Sequence, residues 1–345
     1  MSQGFASRAL RTGLRLSEIG LGGAPLGNLY RSLGDDQAGS TCRAALDAGV
    51  TYFDTAPFYG FGLSERRLGD ALRGQRHSTV STKVGRLLKP DPSVVDDSLR
   101  QGFASPMPFA AVYDYTYDGI LASWEASLQR LGLARIDVLY VHDIGAHTHG
   151  PMSEHFFSQL TAGGGFRALS ELRSGGAINA YGLGVNEIEV CRRAMDHTDL
   201  DILLLAGRYT LLEQSALDTL LPECQRRHVA VVIGGPYNSG ILAAGTGPGS
   251  ALHYNYGPAP AEVIERVRRL ESCCAEFAIP LAAAALQFPL AHPSVVSVIP
   301  GLVSAAQIAQ TCALYATEIP VEFWSALERQ GLLRSDAPCP GVAAA

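Results

Sequence analysis

The sequence predicts a closed (β/α)8, or TIM, barrel, and three observations support that expectation. Eight short apolar runs alternate with longer periodic stretches, the rhythm of parallel βαβ units. The runs are nearly continuous Val, Ile and Leu, which suits strands covered on both faces. An open dinucleotide-binding sheet would instead carry G-x-G-x-x-G after an early strand. Gly60-Phe61-Gly62 meets Glu65 where the third glycine belongs, and Gly182-Leu183-Gly184 meets Glu187.

In chain order, the strands are expected near Ile19–Leu21, Tyr52–Asp54, Thr79–Lys83, Ile136–Val141, Ala180–Gly184, Ile202–Leu205, Ala230–Ile233 and Val295–Ile299. Helical patterns lie at Gln37–Ala48, Ser64–Leu72, Ile120–Leu131, Phe166–Ser174, Ile188–Met195, Ala216–Arg227, Ala261–Phe277 and Ser304–Tyr315. Ser304 followed three residues later by Gln307 is a capping-box pattern that starts the last of these. Long loops are expected after strands 3, 4 and 7: residues 84–116, the stretch "DIGAHTHGPMSEHF", and residues 234–260. Loops of this length in compact domains are commonly functional. Phe103, Phe109, Tyr113, Tyr115, Tyr237, Tyr254 and Tyr256 read as walls around a ligand. Residues 1–345 are expected to form a single domain, because α/β barrels of this size routinely form one unit.

Composition excludes several function classes. A net charge of −6 leaves no electrostatic footprint for nucleic acid. No uninterrupted apolar run is long enough to span a membrane, and the N-terminus lacks a signal-peptide core. Seven cysteines without a CxxC pair fit reduced thiols, so a cytoplasmic location is expected. His142, His147 and His149 are closely spaced, but without a cysteine pair or H-E-x-x-H they are not read as a metal site.

The chemistry is expected at the carboxyl ends of the strands, which share one face of a barrel. Three strands end on ionisable residues, Asp54, Lys83 and His142, and Tyr59 lies in the loop after Asp54. Each residue alone reads equally as a cap, a solvated end or packing; neighbouring strands deliver all four to one mouth. A phenol ordinarily titrates near pH ~10, and a nearby ammonium favours its phenolate. Asp54 would hold Lys83 charged beside Tyr59, and His142 would fix a substrate oxygen, giving a proton donor or acceptor beside a polarised carbonyl or hydroxyl. Phe58, His147, Arg208 and Asn238 are candidate substrate contacts around the mouth.

At these residues the chain resembles the aldo-keto reductase superfamily. The motifs are "GVTYFDTAPFYGFGLSERRLG", "STKVGR", "LQRLGLARIDVLYVHD" and "LPECQRRHVAVVIGGPYNSGIL", and the correspondence runs from about Leu10 to Leu332. The resemblance implies a catalytic tetrad of Asp54, Tyr59, Lys83 and His142, with hydride transfer between a nicotinamide dinucleotide and a carbonyl or carbinol carbon. It further implies dinucleotide contacts at Asn186, at Gly234, Pro236, Tyr237 and Gly240, and at Gly301, Leu302, Ser304, Gln307 and Thr311. Three positions depart from the family pattern: Val185 replaces a serine, Ala206 a glutamine, and Gly234 the aromatic that stacks on the nicotinamide.

Within the superfamily, "VSTKVGRLL" and "LAGRYTLLEQ" look like the bacterial L-fucose, or D-threo-aldose, 1-dehydrogenases. The leading expectation is therefore oxidation of an aldose at its anomeric carbon to the lactone, with Tyr59 as general base. Pyridoxal 4-dehydrogenase, a general aldehyde or ketone reductase, and a nicotinamide-binding regulatory subunit are the alternatives. No Lys or Arg occurs from Ala291 to Pro320, where NADP-preferring relatives hold the 2′-phosphate, so NAD is the expected cofactor.

Overall fold

The computed structural model describes residues 4–250 and 252–342. Eight parallel strands follow one another around a barrel: β1 Leu21–Gly22, β2 Tyr52–Asp54, β3 Thr79–Val84, β4 Val138–His142, β5 Ala180–Val185, β6 Ile202–Ala206, β7 Ala230–Gly234 and β8 Val295–Ile299. Each pairs with its neighbours in sequence order, and isolated parallel bridges Ile19–Val298 and Gly22–Gly301 join the last strand to the first. All eight expected strands are present. The first is shorter than expected, with Ile19 reduced to a bridge. The fourth starts at Val138, two residues later than expected, and just before it the Asp137 carboxylate accepts the Val80 amide of the neighbouring strand at 2.8 Å.

The helices lie outside the barrel. Those expected are found at Asp35–Asp47, Leu63–Leu72, Tyr117–Leu131, Gly165–Ser174, Ile188–Met195, Leu220–Arg227, Ala261–Glu276 and Ala305–Tyr315. The helix expected over Ala216–Arg227 is broken into a 3-10 turn, Ser215–Leu217, and a shorter α-helix. Ser304 caps its helix as its spacing predicts, its hydroxyl accepting the Gln307 amide at 3.2 Å.

Two apolar layers result. The outer one packs helices on strands, and the inner one fills the barrel with Tyr52, Val138, Tyr140, Ala180, Ile202, Leu204 and Val232. An antiparallel hairpin that the strand pattern did not predict, Ser7–Ala9 with Arg15–Ser17, contributes Leu10 and Leu16 to this inner layer. The hairpin therefore plugs the end of the barrel where strands β4–β7 begin.

The glycines of Gly182-Leu183-Gly184 serve the barrel wall. A Cβ on Gly182 would stand 1.5 Å from the Ile202 carbonyl oxygen, so only glycine lets β5 approach β6 there. A Cβ on Gly184 would stand 3.3 Å from Lys83 Cε, so the bare position leaves room for the lysine stem.

The three long excursions have structure of their own. Residues after β3 form two small hairpins, Arg86–Pro90 with Phe109–Tyr113 and Leu99–Arg100 with Phe103–Ala104. The excursion after β4 contains helices Ala146–His149 and Ser153–Leu160. That after β7 contains a short helix, Ile241–Ala244, and a hairpin, His253–Tyr254 with Gly257–Pro258. Among the described residues, no single helix is long and apolar enough to cross a membrane.

The plug gives the first testable expectation. Leu16 is fully buried, so Leu16→Ala should cost roughly 2–5 kcal/mol through lost burial and a residual cavity. Denaturant unfolding measures this, and a loss below about 1 kcal/mol would mean that the hairpin lies outside the cooperative core.

Candidate active site

Asp54 ends β2 and Lys83 lies near the end of the adjacent β3, so the register sets both side chains into one buried space. Lys83 Nζ donates to Asp54 Oδ2 at 2.7 Å and to the Thr55 carbonyl at 2.9 Å, with both charged side chains at least 98% buried. Ser81 Oγ donates to the other carboxylate oxygen at 2.7 Å. Behind Ser81 stand the Tyr52 and Tyr140 hydroxyls, linked in series at 3.0 Å each. A carboxylate only accepts, so each hydroxyl in this chain donates toward Asp54.

Tyr59 is delivered by the loop after β2. Gly60 follows it with φ +66°, and a Cβ there would stand 2.3 Å from the Gly27 carbonyl oxygen. That close backbone approach holds the tyrosine in place. The insertion after β3 clamps the same loop from above: Ser105 Oγ donates to the Gly60 carbonyl at 2.7 Å, and the Phe103 ring lies 6.0 Å from that of Tyr59. Lys83 Nζ stands 4.6 Å from the Tyr59 ring centre.

His142, at the end of β4, meets Tyr59 edge to face at 5.8 Å between ring centres. All four expected catalytic residues therefore converge at the carboxyl end of the barrel. Burial pushes the Tyr59 phenol up to about 12, with Lys83 pulling it back and Asp54 adding to the rise. Burial also opposes the Lys83 ammonium, but Asp54 and Tyr59 outweigh it and its pKa rises. Burial, with Arg86 and Lys83 nearby, drives His142 well below the ordinary imidazole range, so the ring is neutral. Its Nδ1 is buried without a partner.

The candidate substrate contacts separate into two groups. Phe58 lines the site, its ring 6.2 Å from that of His142. His147 is exposed at the rim, where its amide donates to Glu187 at 3.0 Å. Arg208 is half-buried and held at 2.9 Å by Asn255, tying the loops after β6 and β7 together. Asn238 departs from expectation. It is buried, accepts from Thr210 at 2.6 Å and donates to the Gly207 carbonyl at 3.4 Å, so it braces the loop instead of facing a substrate. Tyr115 and His149 likewise bond each other at 2.9 Å, and the tyrosine hydroxyl donates to the His142 carbonyl. They fix the end of β4 from behind, and no metal cluster occurs among the described residues.

The expected dinucleotide contacts gather around the ends of β5, β7 and β8. Asn186 follows β5 and donates to the Ala206 carbonyl at 3.3 Å. Gly234 ends β7, with Pro236 buried and Tyr237 half-buried behind it. A Cβ added at Gly235 or Gly240 would meet nothing within 4 Å, so this stretch of backbone is open. Gly301, Ser304 and Gln307 lie at the start of the last barrel helix, where Gln307 Oε1 accepts the Val303 amide at 2.8 Å. Leu302 and Thr311 are buried.

Three residues at the site were not singled out from the sequence: Ser81, Arg86 and Asp143. Asp143 had a signal in its position directly after His142 at a strand end. Arg86 had none, since a charge in a long loop ordinarily reads as solvated. Tyr256 is exposed, yet its hydroxyl reaches Asn186 at 3.5 Å.

The electrostatics can be checked without a substrate. With 13C-labelled tyrosine, the Tyr59 ring signal, assigned by its loss in Tyr59→Phe, should not titrate below about pH 10. Lys83→Met should push it higher, because the ammonium that favours phenolate is removed. Ionisation of Tyr59 in the free protein below pH ~9 would contradict this geometry.

Residues 18–330 match the aldo/keto reductase family. The chain is 47% identical over 335 residues to a pyridoxal 4-dehydrogenase of Microbacterium luteolum, covering 94% of this chain and 97% of that one. It is 40% identical over 329 residues to a D-threo-aldose 1-dehydrogenase of a Pseudomonas species, with coverage of 94% and 97%. Among solved structures, an aldo-keto reductase of Bacillus halodurans superposes with a TM-score of 0.72 at 24% identity, covering 96% and 97% of the two chains. Four side chains converging at the strand ends of a (β/α)8 barrel, with a family match over most of its length, make this chain a member of the aldo/keto reductase family.

Proposed function

We propose that the protein oxidises the carbinol of a cyclic hemiacetal to a lactone, with an aldose of the L-fucose or D-threo type as substrate and NAD as oxidant. The observation that carries this reading is the buried Lys83–Asp54 pair beside Tyr59 and a neutral His142. When bound, a nicotinamide accepts hydride from the carbinol carbon. The open backbone at Gly235 and Gly240 and the amide-bearing helix start at Ser304 fit a flat ring and a phosphate at the adenosine end of the cofactor respectively.

The side chains handle the proton and the oxygen. Tyr59 takes the hydroxyl proton in its phenolate form, a minor species near neutrality because burial raises the phenol to about 12, while the carbon–oxygen bond becomes a carbonyl. Lys83 stabilises the phenolate, and Asp54 keeps Lys83 charged and aimed. His142 donates a hydrogen bond to the reacting oxygen and, being neutral, adds no positive charge that would oppose departure of hydride from the adjoining carbon. The products are a lactone, reduced nicotinamide and one proton.

Pyridoxal is the second reading, favoured by the 47% identity to a pyridoxal 4-dehydrogenase. Its hemiacetal presents the same carbinol next to a ring oxygen, so the chemistry is unchanged. Tyr59→Phe should lower kcat by about 10²–10⁴-fold while leaving the fold and cofactor binding intact. A loss below about fivefold would assign the proton to another residue. L-Fucose should be oxidised with higher kcat/KM than a plain aliphatic alcohol, since a pocket that bonds hydroxyls rejects analogues lacking them. A large preference for pyridoxal would promote the second reading.

The cofactor preference follows from charge. A 2′-phosphate brings about two negative charges to a stretch, Ala291–Pro320, that holds no Lys or Arg. Two missing charge-assisted hydrogen bonds cost about a hundredfold or more in affinity. At saturating aldose, kcat/KM should favour NAD, and equal values or a preference for NADP would defeat the expectation. Gln307 is exposed, so Gln307→Arg should move the ratio toward NADP. Gly301→Lys is the poorer test, because a Cβ there would press on Pro25 Cγ at 2.8 Å.

A further inference from the structure

Asp143 directly follows His142 and adopts a left-handed backbone, φ +45°, which aspartate tolerates better than most residues. Its Oδ2 accepts from Arg86 Nη2 at 2.5 Å and stands 3.5 Å from His142 Nε2. Both contacts use the same oxygen, and the side chain is 23% exposed. Arg86, by contrast, is buried, its guanidinium 4.2 Å from the centre of the Phe58 ring, with Nε left without a partner. A buried arginine stacked on the wall of the site thus holds a half-open carboxylate beside the nitrogen assigned to the reacting oxygen. Neighbouring oxygens on a sugar ring lie roughly one hydrogen-bond length apart. A group bonded to His142 would therefore bring its next hydroxyl within reach of Asp143, which can accept from a hydroxyl but cannot donate to an ether or a carbonyl.

We propose that Asp143 is a specificity-determining residue, accepting a hydrogen bond from the substrate hydroxyl on the carbon next to the reacting carbinol, with Arg86 as its positioning residue. The proposal rests on the hemiacetal dehydrogenase reading above and deepens it: the preferred aldose carries a free 2-hydroxyl.

The test compares kcat/KM for an aldose and its 2-deoxy counterpart in the wild type, in Asp143→Gly and in the double variant Arg86→Met/Asp143→Gly. Glycine suits the left-handed backbone, and the double variant avoids stranding a buried guanidinium, so it carries the test if the single variant does not fold. NADH binding followed by fluorescence verifies that the cofactor site survives. The wild type should prefer the 2-hydroxylated sugar by about 10- to 100-fold, the worth of one hydrogen bond to a charged group. That preference should collapse at least tenfold in the variants. An unchanged ratio overturns the proposal: parallel losses on both sugars would reduce Asp143 to a support for His142, and no loss would make it a bystander. If the wild type oxidises pyridoxal but neither sugar, the aldose reading fails and the role of Asp143 fails with it, since the carbon next to the carbinol of pyridoxal carries no hydroxyl. Inactivity on all of these substrates overturns both readings together.

Discussion

The ion pair between Lys83 and Asp54 is the constraint that the rest of this barrel obeys. Two charges withdrawn from water are tolerable only when their remaining hydrogen-bonding capacity is met, and removing one partner commonly costs about 3–5 kcal/mol. Here the Thr55 carbonyl serves the ammonium and Ser81 serves the second carboxylate oxygen. Gly184 leaves the space through which the lysine stem runs. The pairing of β2 with β3 brings the two charges together, and the hydroxyls of Tyr52 and Tyr140 extend the hydrogen bonding into the barrel interior. The site is thus built into the barrel wall, and the loops complete it.

Much of this was legible in the sequence, for identifiable physical reasons. Strand ends are readable because an apolar run must stop where polar chemistry begins, which is how Asp54, Lys83 and His142 announce themselves. Ser304 and Gln307 were legible because helix capping is local. The roles of loop residues were not. An aromatic that lines a pocket and one that braces the structure look alike in sequence, and Tyr115 proved to hold the end of β4 while Phe103 proved to pack on Tyr59. Asn238 seemed available for a substrate because its partner Thr210 lies on the loop after another strand. The N-terminal hairpin was missed for a similar reason: its stability comes from Leu10 and Leu16 entering the barrel, a contact no short window contains.

Electrostatics divides the mouth into two unlike halves. On the β2–β3 side, Lys83 is kept charged and draws the Tyr59 phenol back from the rise that burial imposes. On the β4 side, the same burial keeps His142 neutral, while Arg86 and Asp143 cancel each other beside it. In the proposed mechanism, proton transfer and oxygen recognition thereby fall to separate walls of the barrel mouth. Neither wall carries an unpaired buried charge that a ligand would have to neutralise on entering.

The clamp of the β3 insertion on the Tyr59 loop bears on how such an enzyme can change. Barrel enzymes are commonly treated as modular, with a fixed scaffold and interchangeable loops that choose the substrate. Here Phe103 and Ser105 belong to the loop that would be exchanged, yet Phe103 packs against the Tyr59 ring and Ser105 holds the carbonyl of the next residue, Gly60. The two tasks share one piece of chain. A transplanted insertion that recognised a new substrate would also re-seat Tyr59, so selectivity and turnover would drift together under mutation. Change at this site is correspondingly less coupled to Tyr59 in the loops after β4 and β7, away from that clamp.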